Sequence, residues 1–182
     1  MKNRYTDAQQ AMIELLEQHI QAEFAGDLDT TLSTMTADPH LHNVPNNIGG
    51  YGYQGVKDFY ANHLVGKFFP PDVEMQRVSL TVGETQIVEE LIIRFTHTSV
   101  IDWMLPGISP TNRTVAVGFV VIVGFSDGKI SHEHIYWDQA TVLMQLGLID
   151  GSGLPVSGPE TTERILDPSL PTRTEFNYPI KC

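Results

Sequence analysis

Apolar positions near the start of the chain recur at helical spacing. Ile13, Leu16, Ile20 and Phe24 form a stripe that Met12, Leu15 and His19 widen. Thr6 and Gln9 supply a Thr-x-x-Gln capping pair ahead of it, and Gly26 ends it. Asp27 or Asp29 caps a short second helix carrying Leu32 and Met35, which Asp38-Pro39 stops. A short extended piece, His40 to Val44, follows. Residues 46–55 hold four glycines and read as a loop. Val56, Phe59, Tyr60 and His63 predict a third helix.

After Pro70-Pro71 the period changes from helical to alternating. Val78, Leu80 and Val82 alternate. Residues 85–101 form a long strand with Ile87, Leu91, Ile93, Phe95 and Ile101 on one face. Residues 103–113 are a loop, and the almost continuously apolar 114–125 is a central strand. Asp127-Gly128 is a hairpin turn, residues 130–138 return, and a last helix over 139–146 stops at Gly147. Helices, then consecutive antiparallel strands, then a closing helix predict an α+β fold. A strongly curved antiparallel sheet wrapped on the N-terminal helices makes a cone-shaped α+β barrel with an apolar interior, suited to a small molecule. Residues 1–150 are read as this domain. Residues 151–182 are read as a proline-rich tail packing on the domain or on a partner subunit, since Phe176, Tyr178 and Ile180 would otherwise lie bare.

Charge narrows the partners. Lys plus Arg is 11 against 22 Asp plus Glu, a formal net charge of -11, and the cations form no stripe. Nucleic acid and anionic membranes are therefore not expected partners. The single cysteine, Cys182, gives no bridge and fits a reducing cytoplasm. No run approaches a membrane span, and the start lacks the apolar stretch of a secretory signal.

The richest segment for chemistry is Ser131 to Asp138. Alternation puts His132, His134, Tyr136 and Asp138 on one face and Glu133, Ile135 and Trp137 on the other. Period alone leaves open which face is inward, although the Ile135/Trp137 face is the more apolar. His97 follows the apolar face of the long strand. Asp102 and Trp103 begin a loop able to close over a pocket, and His42 stands beside the glycine-rich loop. His132-x-His134 with Asp138 resembles a cupin metal spacing, but it lacks a clear third and fourth ligand, and no tightly bound metal is expected. No Gly-x-Ser-x-Gly elbow and no nucleotide motif is present. A cofactor-free acid/base site is the expectation.

Several segments together resemble a known superfamily. They are Asn43-Val44-Pro45 with Gly49-Gly50-Tyr51-Gly52, Phe95-Thr96-His97, Ile101 to Gly107 with Pro110-Thr111, and Glu133 to Gln139 running into Gln145 to Leu148. Over about residues 8–150 the chain is similar to the SnoaL-like polyketide cyclase branch of the nuclear transport factor two-like (ketosteroid isomerase-like) superfamily. That resemblance implies a homodimer through the outer sheet face, covering Ile135 and Trp137, and an inward row of His132, His134, Tyr136 and Asp138. It implies Asp138 as general base, with proton removal next to a carbonyl followed by cyclisation or isomerisation and no metal. His134 and Tyr136 would position the base or donate to an enolate oxygen, with His97 and His42 as further acid/base candidates. Trp103, Asp102, His132, Asn43 and Tyr51 are the substrate-binding candidates. A ligand-binding protein without turnover, and a hydrolase of epoxides or lactones, are the alternatives on the same fold.

Overall fold

Helix α1 (Asp7–Ala25) begins where the spacing predicts. The Thr6 hydroxyl accepts from the Gln9 backbone N–H while the Gln9 side chain accepts from the Thr6 N–H, and Gly26 closes the helix at φ 69°. The structure is a computed structural model and describes residues 4–172. Phe176, Tyr178, Ile180 and Cys182 lie outside the described residues. The buried stripe of α1 includes His19 and Glu23 beside Met12, Ile13 and Leu16. Phe24 is about half exposed and sets its ring edge-on to Phe68.

Helix α2 (Leu28–Ser33) is capped by Asp27, which accepts from Thr30 N–H. It ends before Met35, and strand β1 (Met35–Asn43) runs straight through Asp38-Pro39. A register shift between Met35 and His40 accommodates the proline, which has no N–H to give to a ladder. Strand β2 (Ile48–Tyr51) lies within the glycine-rich segment and pairs antiparallel with β1. A Cβ on Gly50 would run into the backbone of Gly55 and Val56, so glycine there permits close packing against the next helix. Helix α3 (Gly52–Phe59) passes into one π turn over Tyr60–Leu64.

Strands β3 (Glu74–Val82), β4 (Gln86–Thr96), β5 (Thr114–Ser126) and β6 (Lys129–Trp137) complete a six-stranded sheet of order β2-β1-β6-β5-β4-β3. The β5–β6 turn has Asp127 at φ 52° and Gly128 at φ 71°, both in the left-handed region the tight hairpin demands. All neighbours are antiparallel except β1 and β6, which run parallel. That pairing joins the first strand to the last and departs from a purely consecutive antiparallel order. Register shifts at Arg77/Ser79 and Gly124/Phe125 mark bulges of the kind that bend a sheet.

One face of the sheet carries Ile87, Leu91, Ile93 and Phe95 opposite Val123, Phe119, Val117 and Val115. It continues through Trp137, Ile135 and Glu133 on β6 to Leu41 and Asn43 on β1. This is the face turned to the core cluster that includes Met12, Ile13 and Leu16 of α1. The segment after β4 is buried through Ile101, Trp103, Met104 and Leu105. Asn46 Nδ2 donates to Trp103 O and Gln139 Nε2 donates to Met104 O, which pin it. Helix α4 (Gln139–Gln145) follows β6. Helix α5 (Glu160–Leu166) lies against β5 on the other sheet face, with Ile165 over Gly118.

Candidate active site

A cavity of about 70 Å³ lies between α1, the core face of the sheet and the Phe68–Phe69 segment. Its walls are mostly apolar, Leu16, Ile20, Leu41 and Phe119 among them, with Trp103 on one side. Four polar side chains interrupt them: Glu23, Asn43, Glu89 and Glu133. Buried ionisable groups cost several kcal/mol unless partnered, roughly the scale at which a fold retains them only for a reason.

Glu133 and Glu23 meet across His19. His19 Nε2 lies 3.3 Å from Glu23 Oε1 and 3.6 Å from Glu133 Oε2. Its Nδ1 is 2.6 Å from Thr34 Oγ1. The Tyr60 hydroxyl donates to Glu133 Oε2 at 3.0 Å and lies 3.1 Å from His19 Nε2. The π turn delivers Tyr60 to this point, and i, i+4 spacing puts His19 and Glu23 on one side of α1.

Charge settles in a definite pattern. Burial alone would push His19 down, but the carboxylates of Glu133 and Glu23 outweigh it and raise the imidazole to about 10. Burial raises Glu23, only partly offset by His19. Burial also works against Glu133, yet His19 and the Tyr60 hydroxyl outweigh it and lower its carboxyl. Tyr60 is held well above its ordinary value by burial and by the two carboxylates. His19 is therefore an imidazolium near neutral pH beside the lowered Glu133 carboxylate, while the buried Glu23 carboxyl holds its proton more tightly than an ordinary one. Among the described residues these three also have the spacing of a cation site, one ligand atom each within 4.8 Å of the others.

Asn43 is fully buried on the cavity wall, and neither Nδ2 nor Oδ1 has a hydrogen-bond partner among the described residues. Parallel pairing sets Asn43 beside Ile135 and Leu41 beside Glu133, so Asn43 stands one step along the same face from the carboxylate. Glu89 accepts from Arg77 Nε.

The orientation of β6 is the reverse of the one the family resemblance implies. Glu133, Ile135 and Trp137 face the core, while His132, His134 and Tyr136 lie on the opposite face. The physical reason is the apolar content of the inner row: Trp137 stacks on Phe119 at 5.3 Å and meets Trp103 edge-on at 5.6 Å. Tyr136 is 40% exposed. Asp138 is exposed and caps α4, its Oδ1 accepting from Thr141 N–H at 3.0 Å and its Oδ2 from the Thr141 hydroxyl at 2.8 Å.

The other candidates divide. Trp103 and Asn43 line the cavity. His97 is buried away from it, with Nδ1 accepting from Thr111 N–H at 3.3 Å, and burial lowers its basicity. Asp102 pairs with Lys67 at 3.9 Å. Tyr51 is 77% exposed. His42 joins His132 and His134 on the outer face, its Nε2 3.0 Å from Asn47 Oδ1. Burial and neighbouring histidines keep His132 and His134 below the ordinary imidazole range. Glu133, His19, Glu23 and Tyr60 were not among the sequence candidates. The usable signal was a His and a Glu interrupting an apolar helical stripe, and a Glu on the apolar face of β6.

The family profile of SnoaL-like polyketide cyclases matches residues 7–146. A solved protein from Jannaschia sp. CCS1, provisionally described as a SnoaL-like polyketide cyclase, aligns with a TM-score of 0.64 at 17% identity, covering 81% of this chain and 99% of its own. A Xanthomonas campestris protein, provisionally described as a polyketide cyclase, aligns at 0.57 and 16% identity, covering 77% and 99%. SalBIII, an epoxide hydrolase/cyclase-like enzyme in pyran ring formation in the polyether salinomycin, aligns at 0.54 and 16%, covering 74% and 95%. At these identities the likeness shows the fold. Comparison with curated proteins gave no match.

Proposed function

The chain belongs to the SnoaL-like polyketide cyclase family, and from that premise we propose that it is a cofactor-independent acid/base enzyme acting on a small, mostly apolar, carbonyl-containing metabolite in the cavity. The observation that carries this is Asn43. A buried polar group left without a partner costs about 1–3 kcal/mol, and for Nδ2 that cost is removed when a ligand carbonyl accepts from it.

In this reading the Glu133 carboxylate takes a proton from the carbon next to that carbonyl. The carbonyl oxygen becomes an enolate oxygen, which accepts from Asn43 Nδ2–H. Proton transfer neutralises Glu133 and leaves the His19 imidazolium unbalanced, so positive charge appears in the cluster as negative charge appears on the substrate. The enolate carbon then attacks a second carbonyl to close a ring, or a proton returns at another carbon to complete an isomerisation. Trp103 forms a wall of the binding site.

Binding without turnover is the second reading, favoured by the fact that Glu133 is already engaged by Tyr60 and His19. The hydrolase reading has less support. Arg94 donates to Gln76, Asp102 pairs with Lys67 and Asp138 caps a helix, and none of these three charged side chains lines the cavity. A homodimer through the outer face now rests on Val120 and Tyr136, cross-strand partners both more than a third exposed, instead of on Ile135 and Trp137. Light scattering should give a dimer that Tyr136→Glu weakens; a monomer unchanged by concentration would reject it.

The test of the reaction is deuterium exchange. A panel of apolar ketones in D₂O is followed by NMR with the full chain. Protein-dependent exchange next to the carbonyl is expected, falling roughly 10²–10⁴-fold in Glu133→Gln. Exchange equal in wild type and Glu133→Gln rejects Glu133 as the base. Ketones bound without exchange leave the binding reading.

A further inference from the structure

Glu89 stands apart from the other polar residues of the cavity wall. On β4 it pairs with Val121 of β5, Val121 pairs with Ile135 of β6, and Ile135 pairs with Asn43 of β1. All four line the cavity. One row across the sheet thus reads carboxyl, apolar, apolar, amide. Three strand spacings separate its ends, roughly 14 Å measured along the sheet.

Glu89 is 3% exposed and interrupts the inward apolar run of Ile87, Leu91, Ile93 and Phe95. A carboxyl group in such a run is costly unless it is partnered. Its Oε1 accepts from Arg77 Nε. Arg77 stands opposite Leu91, at the register shift of the edge strand β3, with its side chain 43% exposed. Among the described residues no donor reaches Oε2.

A ligand whose carbonyl meets Asn43 therefore has its other end near Glu89. Charge decides the chemistry of that end. Arg77 already balances the carboxylate, so a ligand cation gains little there, and a ligand anion would meet Glu89 itself. A neutral donor fits, because an O–H group bonded to Oε2 makes a charge-assisted hydrogen bond. Met75 lines the cavity and is also 37% exposed, so this end opens to solvent. The ligand enters carbonyl first and keeps its polar end at the mouth.

We propose that Glu89 is a specificity-determining residue that selects hydroxyketones, in which an apolar chain joins the carbonyl to a terminal hydroxyl. Arg77 is its positioning residue. The proposal rests on the acid/base reading for the carbonyl at Asn43, and it does not require Glu133 to be the base.

The experiment is isothermal titration of the full chain with paired probes, straight-chain methyl ketones and their ω-hydroxy counterparts of graded length. At the best length the hydroxyketone should bind roughly tenfold or more tightly than its parent ketone, the scale of a hydrogen bond to a charged group. Glu89→Leu, close in volume and without an acceptor, should bring that ratio near one while the parent ketone still binds. Glu89→Asp keeps the charge but draws it back by one methylene, so the best probe should become longer. A merely structural ion pair would change stability and leave these ratios alone. Equal binding of the paired probes by wild type, or no binding of either, overturns the proposal. So does a ratio that survives Glu89→Leu, or tightest binding of an ω-amino or ω-carboxy counterpart. The expected ratio without deuterium exchange would reject the acid/base reading and leave selection by Glu89 standing.

Discussion

The Tyr60 hydroxyl donates to Glu133 Oε2 at 3.0 Å, joining residues 73 positions apart in the sequence. The contact ties a π turn to the central strand β6 and fixes where the buried carboxylate points. It also shares His19 with that carboxylate, so a single hydroxyl serves both the fold and the polar wall of the cavity. Buried networks of this kind are stabilising only when every member is satisfied.

Tyr60→Phe removes that hydroxyl with little change in shape. It leaves Glu133 short of one donor, and the expected loss of stability is about 1–3 kcal/mol. Urea denaturation at pH 7 measures it. A variant as stable as wild type would mean that Glu133 does not depend on Tyr60.

The charge pattern of the cluster predicts a loss of stability in alkali. His19 is raised from 6.5 to about 10 in the folded chain, so its contribution is complete below pH 6.5 and disappears as pH rises through 10. Glu23 is also raised, so its contribution likewise fades as pH rises above its unfolded value. Glu133 is lowered, so its contribution is present above its ordinary range and is lost on acidification. Tm should therefore fall between pH 6.5 and 10. The fall should be much smaller in the double variant His19→Gln/Glu133→Gln, which removes both charges together. A wild-type Tm that is flat over this range contradicts the assigned protonation states.

Much of the fold is legible in the chain. The Thr6–Gln9 capping pair, the Gly26 stop and the Asp127-Gly128 hairpin are local devices whose residues dictate their own geometry. Strand β1 was less visible, because Asp38-Pro39 reads as a breaker until a bulge beside a neighbouring strand accommodates it. The site was less legible still. Glu133 looks like a surface residue between two histidines. Its burial follows from Ile135 and Trp137 sharing its face and packing on Phe119 and Trp103. His19 and Glu23 look like polar interruptions of a helix until β6 brings Glu133 against them. Such relations depend on which strands become neighbours, and local spacing does not carry that.

Trp103 links the cavity wall to the segment before β3. Its indole N–H donates to Phe68 O at 2.7 Å, and both rings line the cavity. Trp103→Phe keeps an aromatic wall but leaves the Phe68 carbonyl without that donor. Stability should fall by about 1–3 kcal/mol in chemical denaturation. Trp103→Leu, which also removes the edge-on contact with Trp137, should lose more. Equal losses in the two variants would assign the whole effect to the hydrogen bond.

Asp138 separates a capping role from a catalytic one. Its two carboxylate oxygens accept from Thr141 N–H and from the Thr141 hydroxyl, the geometry of an N-cap at the start of α4. Asn is nearly as good an N-cap as Asp, whereas Ala is poor, costing about 0.5–2 kcal/mol. Asp138→Ala should therefore lower stability by about 1 kcal/mol, while Asp138→Asn stays close to wild type. The same pair tests the chemistry implied by the family resemblance. Asn cannot accept a proton from carbon, so a general base at this position would lose roughly 10²–10⁴-fold in ketone exchange on conversion to Asn. The cavity reading expects no such loss, because Asp138 is exposed and bonded to Thr141 while Glu133 lines the cavity. Wild-type exchange in Asp138→Asn together with its collapse in Glu133→Gln places the base at Glu133. The opposite result returns it to Asp138 and requires α4 to release its cap during turnover.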